Sequence, residues 1–447
     1  MKNNWIRIYT LVKNGQVSQS SLFVFALMIT HFLNLAFNVY LGRGLSVEQY
    51  GLVIFITSIL YFTNIVFTAL IATVSHTTAY LSSSTKGRAT INFYTSARKY
   101  GFALSLTLSL IWLIFAPYLR NFFNISDLLP LLLFMPIFSL GVLLSTNRGL
   151  LQGRLKFSKA ALIVLTEPLS KLEFAFLLIS FGQGDWVYSS IPLSILIAAS
   201  VSTLVVKKEI VSLKPRNHLR FPFQWSFFIA ATFSGLATMI FLGLDIILVR
   251  HFFDPVLAGQ YALLSLSGKM IYFLGALFNN FMIPLVGKNV GAGKSSNKTF
   301  YAIFSLTLFF VMIGAVVFGL FGYLTVPILL GDKARVIIPL LPQYALAITC
   351  FTLASSIVIY HLALRRYLFP LLSILNAIGA AVGIALFHSS LEQVVSVLVV
   401  AGITNLALVG IFHILSYVHN LSTSFNFQKI PVDPDGVQNK LSKVEIS

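Results

Sequence analysis

The sequence predicts an all-α integral membrane protein of twelve transmembrane helices arranged as two pseudo-symmetric six-helix bundles. Three observations lead there. Of 447 residues, 57% are hydrophobic and 10% charged, with a mean hydropathy of +0.87. The water-facing surface of a soluble chain this long needs far more charge, so that class is excluded. Apolar runs of about 20 residues, enough to cross a hydrocarbon core, follow one another from end to end. The chain also repeats itself. Asn38-Val-Tyr-Leu-Gly-Arg-Gly-Leu-Ser-Val-Glu-Gln-Tyr-Gly-Leu-Val-Ile-Phe55 ends one apolar run, turns on Gly42 and Gly44, and enters the next. Leu248-Val-Arg-His-Phe-Phe-Asp-Pro-Val-Leu-Ala-Gly-Gln-Tyr-Ala-Leu-Leu264 does the same around Arg250. Matching Gln49-Tyr50 to Gln260-Tyr261 sets an offset of 211 residues, near half the chain, and places Pro284 opposite Thr73. Internal repeats of this kind are typical of membrane transporters.

The elements follow in order. The first run, Ser18 to Leu41, is too long for a signal core and lacks a small-x-small site, so it is expected to remain as helix one. Before it, Trp5 to Lys13 interleaves apolar and basic residues, as an interfacial segment or a frayed basic start would. Further helices are expected at Tyr50 to Tyr80, Tyr100 to Pro117, Leu128 to Thr146, Ala160 to Phe181 and Val187 to Val206. The second set is Phe223 to Val249, Gln260 to Gly287, Phe300 to Leu330, Val336 to His361, Tyr367 to His388 and Gln393 to Tyr417. Residues 1–17 form a basic N-terminus, 18–206 the first bundle, 207–222 a basic linker and 223–417 the second bundle. The polar tail 418–447, with Pro431, Pro434 and Gly436, is expected to be disordered.

Lysine and arginine orient the bundle, because loops kept in the cytoplasm carry the positive excess. Segments that are cytoplasmic when the N-terminus is inside hold 24 of the 31 basic residues. The opposite loops hold 5: Arg43, Arg120, Arg250, Lys333 and Arg335. Both termini are therefore expected in the cytoplasm. The net charge of +18, which on a soluble chain would suggest nucleic acid, is read as topology.

Several chemical signatures fail in context. Gly291-Ala-Gly-Lys-Ser-Ser296 resembles the end of a P-loop, but Lys288 stands where the motif needs its first glycine and a membrane helix precedes it in place of a strand. It reads as a flexible basic loop. The eight histidines show no paired spacing, and Cys350 stands alone as a packing residue. Gly379-Ala-Ala-Val-Gly383 suits close helix packing within the chain. No metal or cofactor is expected.

What remains is charge within the membrane, which is costly and therefore marks function. At 1.5 Å per residue from the expected helix ends, Glu167 lies about 10 Å deep, Lys171 about 16 Å, Glu173 about 20 Å and Lys269 about 13 Å. Glu167 and Lys171 are four apart and can neutralise each other, while Pro168 is expected to kink or open the helix between them. Lys269 has no acid at i±3 or i±4, so its partner must come from another helix, a substrate or water. Asp245, about 6 Å from the outer interface, is expected to reach water or Arg250. His31, Asn34 and Asn38 share a flank of helix one, and Asn279 and Asn280 sit on helix eight.

The form Asn38-x-x-Leu-x-Arg43-x-Leu-x-x-Glu48-x-Tyr50-Gly51, together with twelve helices in two sixes, resembles the oligosaccharide flippases of bacterial polysaccharide export. These belong to the multidrug, oligosaccharidyl-lipid and polysaccharide exporter superfamily. The resemblance covers residues 18–417. It implies two bundles around a central cavity lined by helices one, two, seven and eight. It also implies a lipid-linked oligosaccharide as substrate, moved across the bacterial inner membrane for surface polysaccharides such as O-antigen. Membrane lipids and other polysaccharide-assembly membrane proteins are the partners it implies. On that mapping Lys269, Arg43, Arg250, Asn34 and Asn280 are the candidate substrate contacts. Asp245, Glu167, Lys171 and Glu173 are the buried charges, with coupling to protons or sodium as one use for them. A cation-coupled drug exporter of the same superfamily is the alternative. A membrane polymerase or ligase is disfavoured by external loops of the order of ten residues, so no enzyme is expected.

Overall fold

A hydrocarbon core offers no partner for free backbone N–H and C=O groups, so apolar runs of this length must close their hydrogen bonds internally, as helices. The computed structural model describes residues 16–84, 89–122, 127–211, 222–253, 255–330 and 332–418. Most of the expected basic N-terminus, the basic linker and the tail lies outside these residues.

In the first half, α1 (Gln16–Gly44) continues through Gly42 and Gly44, so the chain turns not on the glycines but just after them, at Leu45 and Ser46. α2 (Val47–Ser84) begins on a reciprocal cap. Ser46 N–H donates to Gln49 Oε1 at 3.0 Å, and Gln49 N–H donates to Ser46 Oγ at 3.2 Å. This capping box gives the Ser46-to-Gln49 part of the hairpin motif a local purpose. α3 (Thr90–Phe122), α4 (Leu129–Gly153), α5 (Phe157–Ser180) and α6 (Ser190–Val211) complete that half.

The second half opens with α7 (Trp225–Met239), a π-helical segment Ile240–Leu244 and α8 (Asp245–Phe252). α9 (Pro255–Ala276) and α10 (Met282–Gly291) are separated by a 3₁₀ turn, Phe278–Phe281. Then come α11 (Asn297–Gly314), a second π segment Ala315–Leu320, and α12 (Gly322–Leu330). After a 3₁₀ stretch, Asp332–Leu340, the chain ends on α13 (Leu341–Ala363), α14 (Leu368–Leu386) and α15 (Leu391–Val418).

The structure amends several expectations. Among the described residues, 11 helical stretches are long and apolar enough to span a membrane, against the twelve expected. The missing stretch is α5, whose apolar run is interrupted by Glu167, Lys171 and Glu173. Helix eight is not continuous: Pro284 has no N–H for the Asn280 carbonyl and its ring crowds that carbonyl, which is where the 3₁₀ turn sits. At the matching position in α2 the helix runs on, and Thr73 Oγ1 donates to Ala69 O at 2.7 Å. Pro168, by contrast, does not open α5. The carbonyl that a proline here deprives of its helical donor, Val164 O, accepts from Thr30 Oγ1 of α1 at 3.4 Å. Gly291 to Ser296 is a tight turn between α10 and α11, with Gly293 at φ +65°. Of the pair Gly379 and Gly383, only Gly383 makes a close approach, to Val397 of α15; a Cβ at Gly379 would meet nothing within 4 Å.

One apolar core runs through the whole first half and crosses into the second at Phe227, Phe281, Met282, Val286 and Phe300. A separate core, including Phe241, Val249, Tyr261, Ile337 and Tyr344, holds the other end of the second half. The halves are thus joined at the end bearing the basic turns 147–159, 288–298 and 365–366, called the basic end below, and part toward the opposite end. At the basic end Glu209 of α6 also pairs with Arg154 (2.7 Å) and Lys159 (2.5 Å) across the α4–α5 turn.

Candidate functional site

The seam between the halves sets the site. Gly287 of α10 sits so close to α2 that a Cβ there would stand 2.9 Å from His76 O, and Gly291 is pressed on the Tyr80 backbone in the same way. Only glycine permits that approach of two backbones. His76 is fully buried; its Nε2 lies 2.7 Å from Ala363 O of α13, and its ring stacks on Phe227 at 4.6 Å. Arg365, in the turn after α13, lies over the Tyr80 ring at 5.7 Å. Further along, Phe281 packs on Phe23 (5.7 Å) and Phe157 (4.8 Å). Nearer the middle, His31 of α1 stacks on Phe273 of α9 at 4.8 Å.

Two lysines stand just beyond that last contact. Asn34 is three residues past His31 on α1, hence on the same face and about 4.5 Å nearer the opposite end. Its amide Nδ2 donates to Thr30 O at 3.0 Å, which leaves Oδ1 to accept from Lys171 Nζ of α5 at 2.6 Å. The ammonium also lies 4.8 Å from the centre of the Phe37 ring, and Lys171 is only 7% exposed. On α9, which runs the other way, Lys269 is four residues before Phe273: the same face, about 6 Å nearer the opposite end. It is half-buried and makes no hydrogen bond or ion pair with any described residue. Each lysine is 14 residues into its helix, Phe157 to Lys171 and Pro255 to Lys269, about 21 Å from the helix start. One enters from the basic end and the other from the opposite end.

The remaining candidates are distributed differently. Asp245 does not reach water: it is 1% exposed, and its Oδ2 accepts from Tyr261 Oη (2.9 Å) and Tyr344 Oη (3.0 Å). The π segment Ile240–Leu244 just before it widens the helix where the carboxylate enters the second core. Tyr344 Oη also lies 3.2 Å from Ser265 Oγ, whose hydroxyl can supply the proton because that of Tyr344 goes to Asp245. The repeat marked Tyr261, but its partnership with Asp245 comes from packing. Glu167 makes no ion pair within 4.0 Å among the described residues, since Lys171 turns to Asn34. Glu173 is exposed, on the stripe of α5 that also exposes Leu169 and Phe176. Asn280 is exposed next to the Phe281 contact, on the basic side of the His31–Phe273 level, with its amide on Leu277 O at 3.2 Å. Asn279 is the structural member of that pair, accepting from Ser356 Oγ at 2.7 Å. Arg43 is exposed in the last turn of α1. The side chain of Arg250 lies outside the described residues.

His76 and Phe37 carried no sequence signal beyond an unpaired polar or aromatic residue in an apolar run. Their positions could be read only once α2 was set against α13, and α1 against α5.

Comparison with known proteins agrees with this architecture. The model of a family described as polysaccharide biosynthesis protein matches residues 40–339. No curated protein matches in sequence. Among solved structures, a mutant of the VcmN MATE transporter of Vibrio cholerae superposes with TM-score 0.74 at 12% identity, covering 92% of this chain and 97% of that one. A multidrug-resistance MATE family transporter of the MOP superfamily, in an outward-facing conformation, gives 0.70 at 13% identity, covering 90% and 95%. A MOP superfamily transporter from Pyrococcus furiosus gives 0.67 at 12% identity, again covering 90% and 95%. These likenesses establish the fold, and the family match over well more than half the sequence establishes descent: the chain belongs to the polysaccharide biosynthesis protein family, built on the MATE fold.

Proposed function

We propose that this protein moves undecaprenyl-pyrophosphate-linked oligosaccharide repeat units across the bacterial inner membrane by alternating access, with both termini cytoplasmic and α5 as the twelfth span. The observation that carries the reading is the pair of deep ammonium groups, one from each half, at the same level just beyond the His31–Phe273 contact. A diphosphate in a cavity shielded from water needs cations and donors, and Lys269 is a cation with no hydrogen bond or ion pair among the described residues. Asn34 holds the second ammonium beside it. With the basic end sealed by α2, α10 and α13, the cavity opens toward the opposite, periplasmic side. Release and re-entry then require the halves to part at the Gly287 and Gly291 seam and to close between the outer hairpins, Gly42 to Tyr50 and Arg250 to Tyr261. Asp245, shielded by two tyrosines, supports the second core and stays near enough to Lys269 to attract it.

The test is genetic and chemical. In cells lacking the gene, undecaprenyl-linked repeat units should accumulate on the cytoplasmic leaflet, and the plasmid-borne gene should restore their export. Normal surface polysaccharide together with increased sensitivity to cationic drugs would sink this reading in favour of a drug exporter.

A further inference from the structure

The turn Gly291-Ala-Gly-Lys-Ser-Ser296, dismissed above as a nucleotide loop, forms one wall of a cavity of about 300 Å³ in the second half. There α10 passes into α11 beside the ends of α13 and α15. We propose that this cavity binds the phosphodiester headgroup of an anionic membrane lipid.

The turn's shape follows from its hydrogen bonds. Lys294 N–H donates back to Asn289 O at 2.8 Å, and Gly293 takes the left-handed conformation (φ +65°) that ends α10. Lys294 to Ser296 are thereby drawn across the mouth. The next helix, α11, has 18 residues and opens without a side-chain cap: Ser296 adopts φ −98°, ψ −1°, and its hydroxyl makes no capping bond. Ser295 Oγ accepts from the Asn297 N–H at 3.4 Å, and the N–H groups of Lys298 and Thr299 keep their capacity for an anion.

Independent groups point the same way. Ser296 is 4% exposed and its Oγ has no partner. His361 is 1% exposed; its Nε2 lies 2.9 Å from His413 Nδ1, while its own Nδ1 is unpartnered. Both residues line the cavity, and buried polar atoms are seldom left unpaired without a reason. Lys294 and Arg366 line it too, neither in an ion pair among the described residues, and no carboxylate does. Tyr360 Oη donates to Asn297 Oδ1 at 3.0 Å and its ring packs on Phe300 at 4.4 Å, which fixes the wall. The site is cationic, rich in donors and preformed.

A lipid fits better than a free anion because the surroundings are apolar on the membrane side. Tyr301 at the rim is 53% exposed, and α11 and α15 lead away from it with Leu308, Ile411 and Ile414 exposed. Acyl chains would cover that surface while the phosphate met Lys294, Arg366, Ser296 and the helix end. Nothing in this assignment depends on what the central cavity carries.

The full-length protein, purified in detergent, can be titrated with phosphatidylglycerol and its bound lipid counted by native mass spectrometry, with thermal unfolding as a folding check. One phosphatidylglycerol should be retained in preference to phosphatidylcholine. The double variant Lys294→Gln with Arg366→Gln should weaken it about tenfold, whereas Lys288→Gln, an exposed lysine of the same end outside the cavity, should not. Should the double variant fail to fold, Ser296→Ala keeps both charges and should weaken the lipid several-fold. Unchanged phosphatidylglycerol binding in whichever variant folds would overturn the site. Displacement of the lipid by inorganic phosphate, with equal stabilisation of lipid-free protein, would overturn the lipid assignment and leave a soluble phosphate site in its place.

Discussion

Lys171 and Lys269 began as equivalent features, one deep lysine per half, and the structure gives them opposite surroundings. Lys171 is engaged: an amide oxygen at 2.6 Å, an aromatic face at 4.8 Å and 7% exposure. Lys269 has neither hydrogen bond nor ion pair among the described residues, although Asp245, the nearest acid in electrostatic terms, lies in the same half. Asp245 is turned instead to Tyr261 and Tyr344. A buried charge engaged by its neighbours holds structure together, and under the proposed function the less engaged Lys269 is the one that meets the substrate. The two halves thus place the same residue in different surroundings. Their backbones differ too: α2 is continuous where its counterpart breaks at the Phe278–Phe281 turn.

The sharpest way to break this comparison is to remove the free lysine. Lys269→Ala should lower export at least about tenfold while changing stability by no more than about 1 kcal/mol, and Lys269→Arg should retain part of the activity where Lys269→Gln does not. Export assays at matched membrane abundance check it, and wild-type export by Lys269→Ala would move the site toward Arg43. The second effect lies on the other lysine. Lys171→Ala should cost about 2 to 3 kcal/mol, seen as lower abundance and earlier thermal unfolding, because it leaves a void and an unpaired Asn34 oxygen in a buried site. Normal abundance with lost export would instead make the two lysines functional equals. The smallest effect concerns the tie that aligns α1 with α5. Thr30→Val removes the donor to Val164 O and should cost about 0.6 kcal/mol, measurable as a slight loss of thermal stability without loss of export. A larger loss would mean that Pro168 depends on this bond to keep α5 unbroken.

Much of the fold was legible because membrane solvation is a blunt constraint: length, apolarity and the placement of lysine and arginine mark each crossing. α5 escaped that rule because it carries three charged residues, Glu167, Lys171 and Glu173. The hairpin motif was legible as a repeat, but its chemistry was not. Ser46 and Gln49 close a capping box, and Gln49 Nε2 also donates to Asp185 Oδ1 at 2.7 Å, across 136 residues. Proline positions were visible, their consequences only in part. Pro284 breaks its helix, whereas Pro168 is compensated by a threonine on a different helix. Sequence spacing also treated the histidines as scattered, yet His361 and His413 meet at 2.9 Å.

The sequence by itself determined the solvent, most of the spans and the place of the repeated hairpin, because each of these depends on residue type and on distance along one helix; the depth of the two lysines moved from about 16 and 13 Å to about 21 Å from each helix start once the helix ends were set. Only the tertiary structure decided which lysine is engaged, where Asp245 finds its donors, at which end the halves are sealed, and that Lys294, Ser296, His361 and Arg366 share one cavity. Those outcomes depend on which helix faces meet across the bundle. Where lipid and protein interior are equally apolar, hydrophobicity does not choose among faces; the choice falls to small residues such as Gly287 and Gly291 and to individual hydrogen bonds.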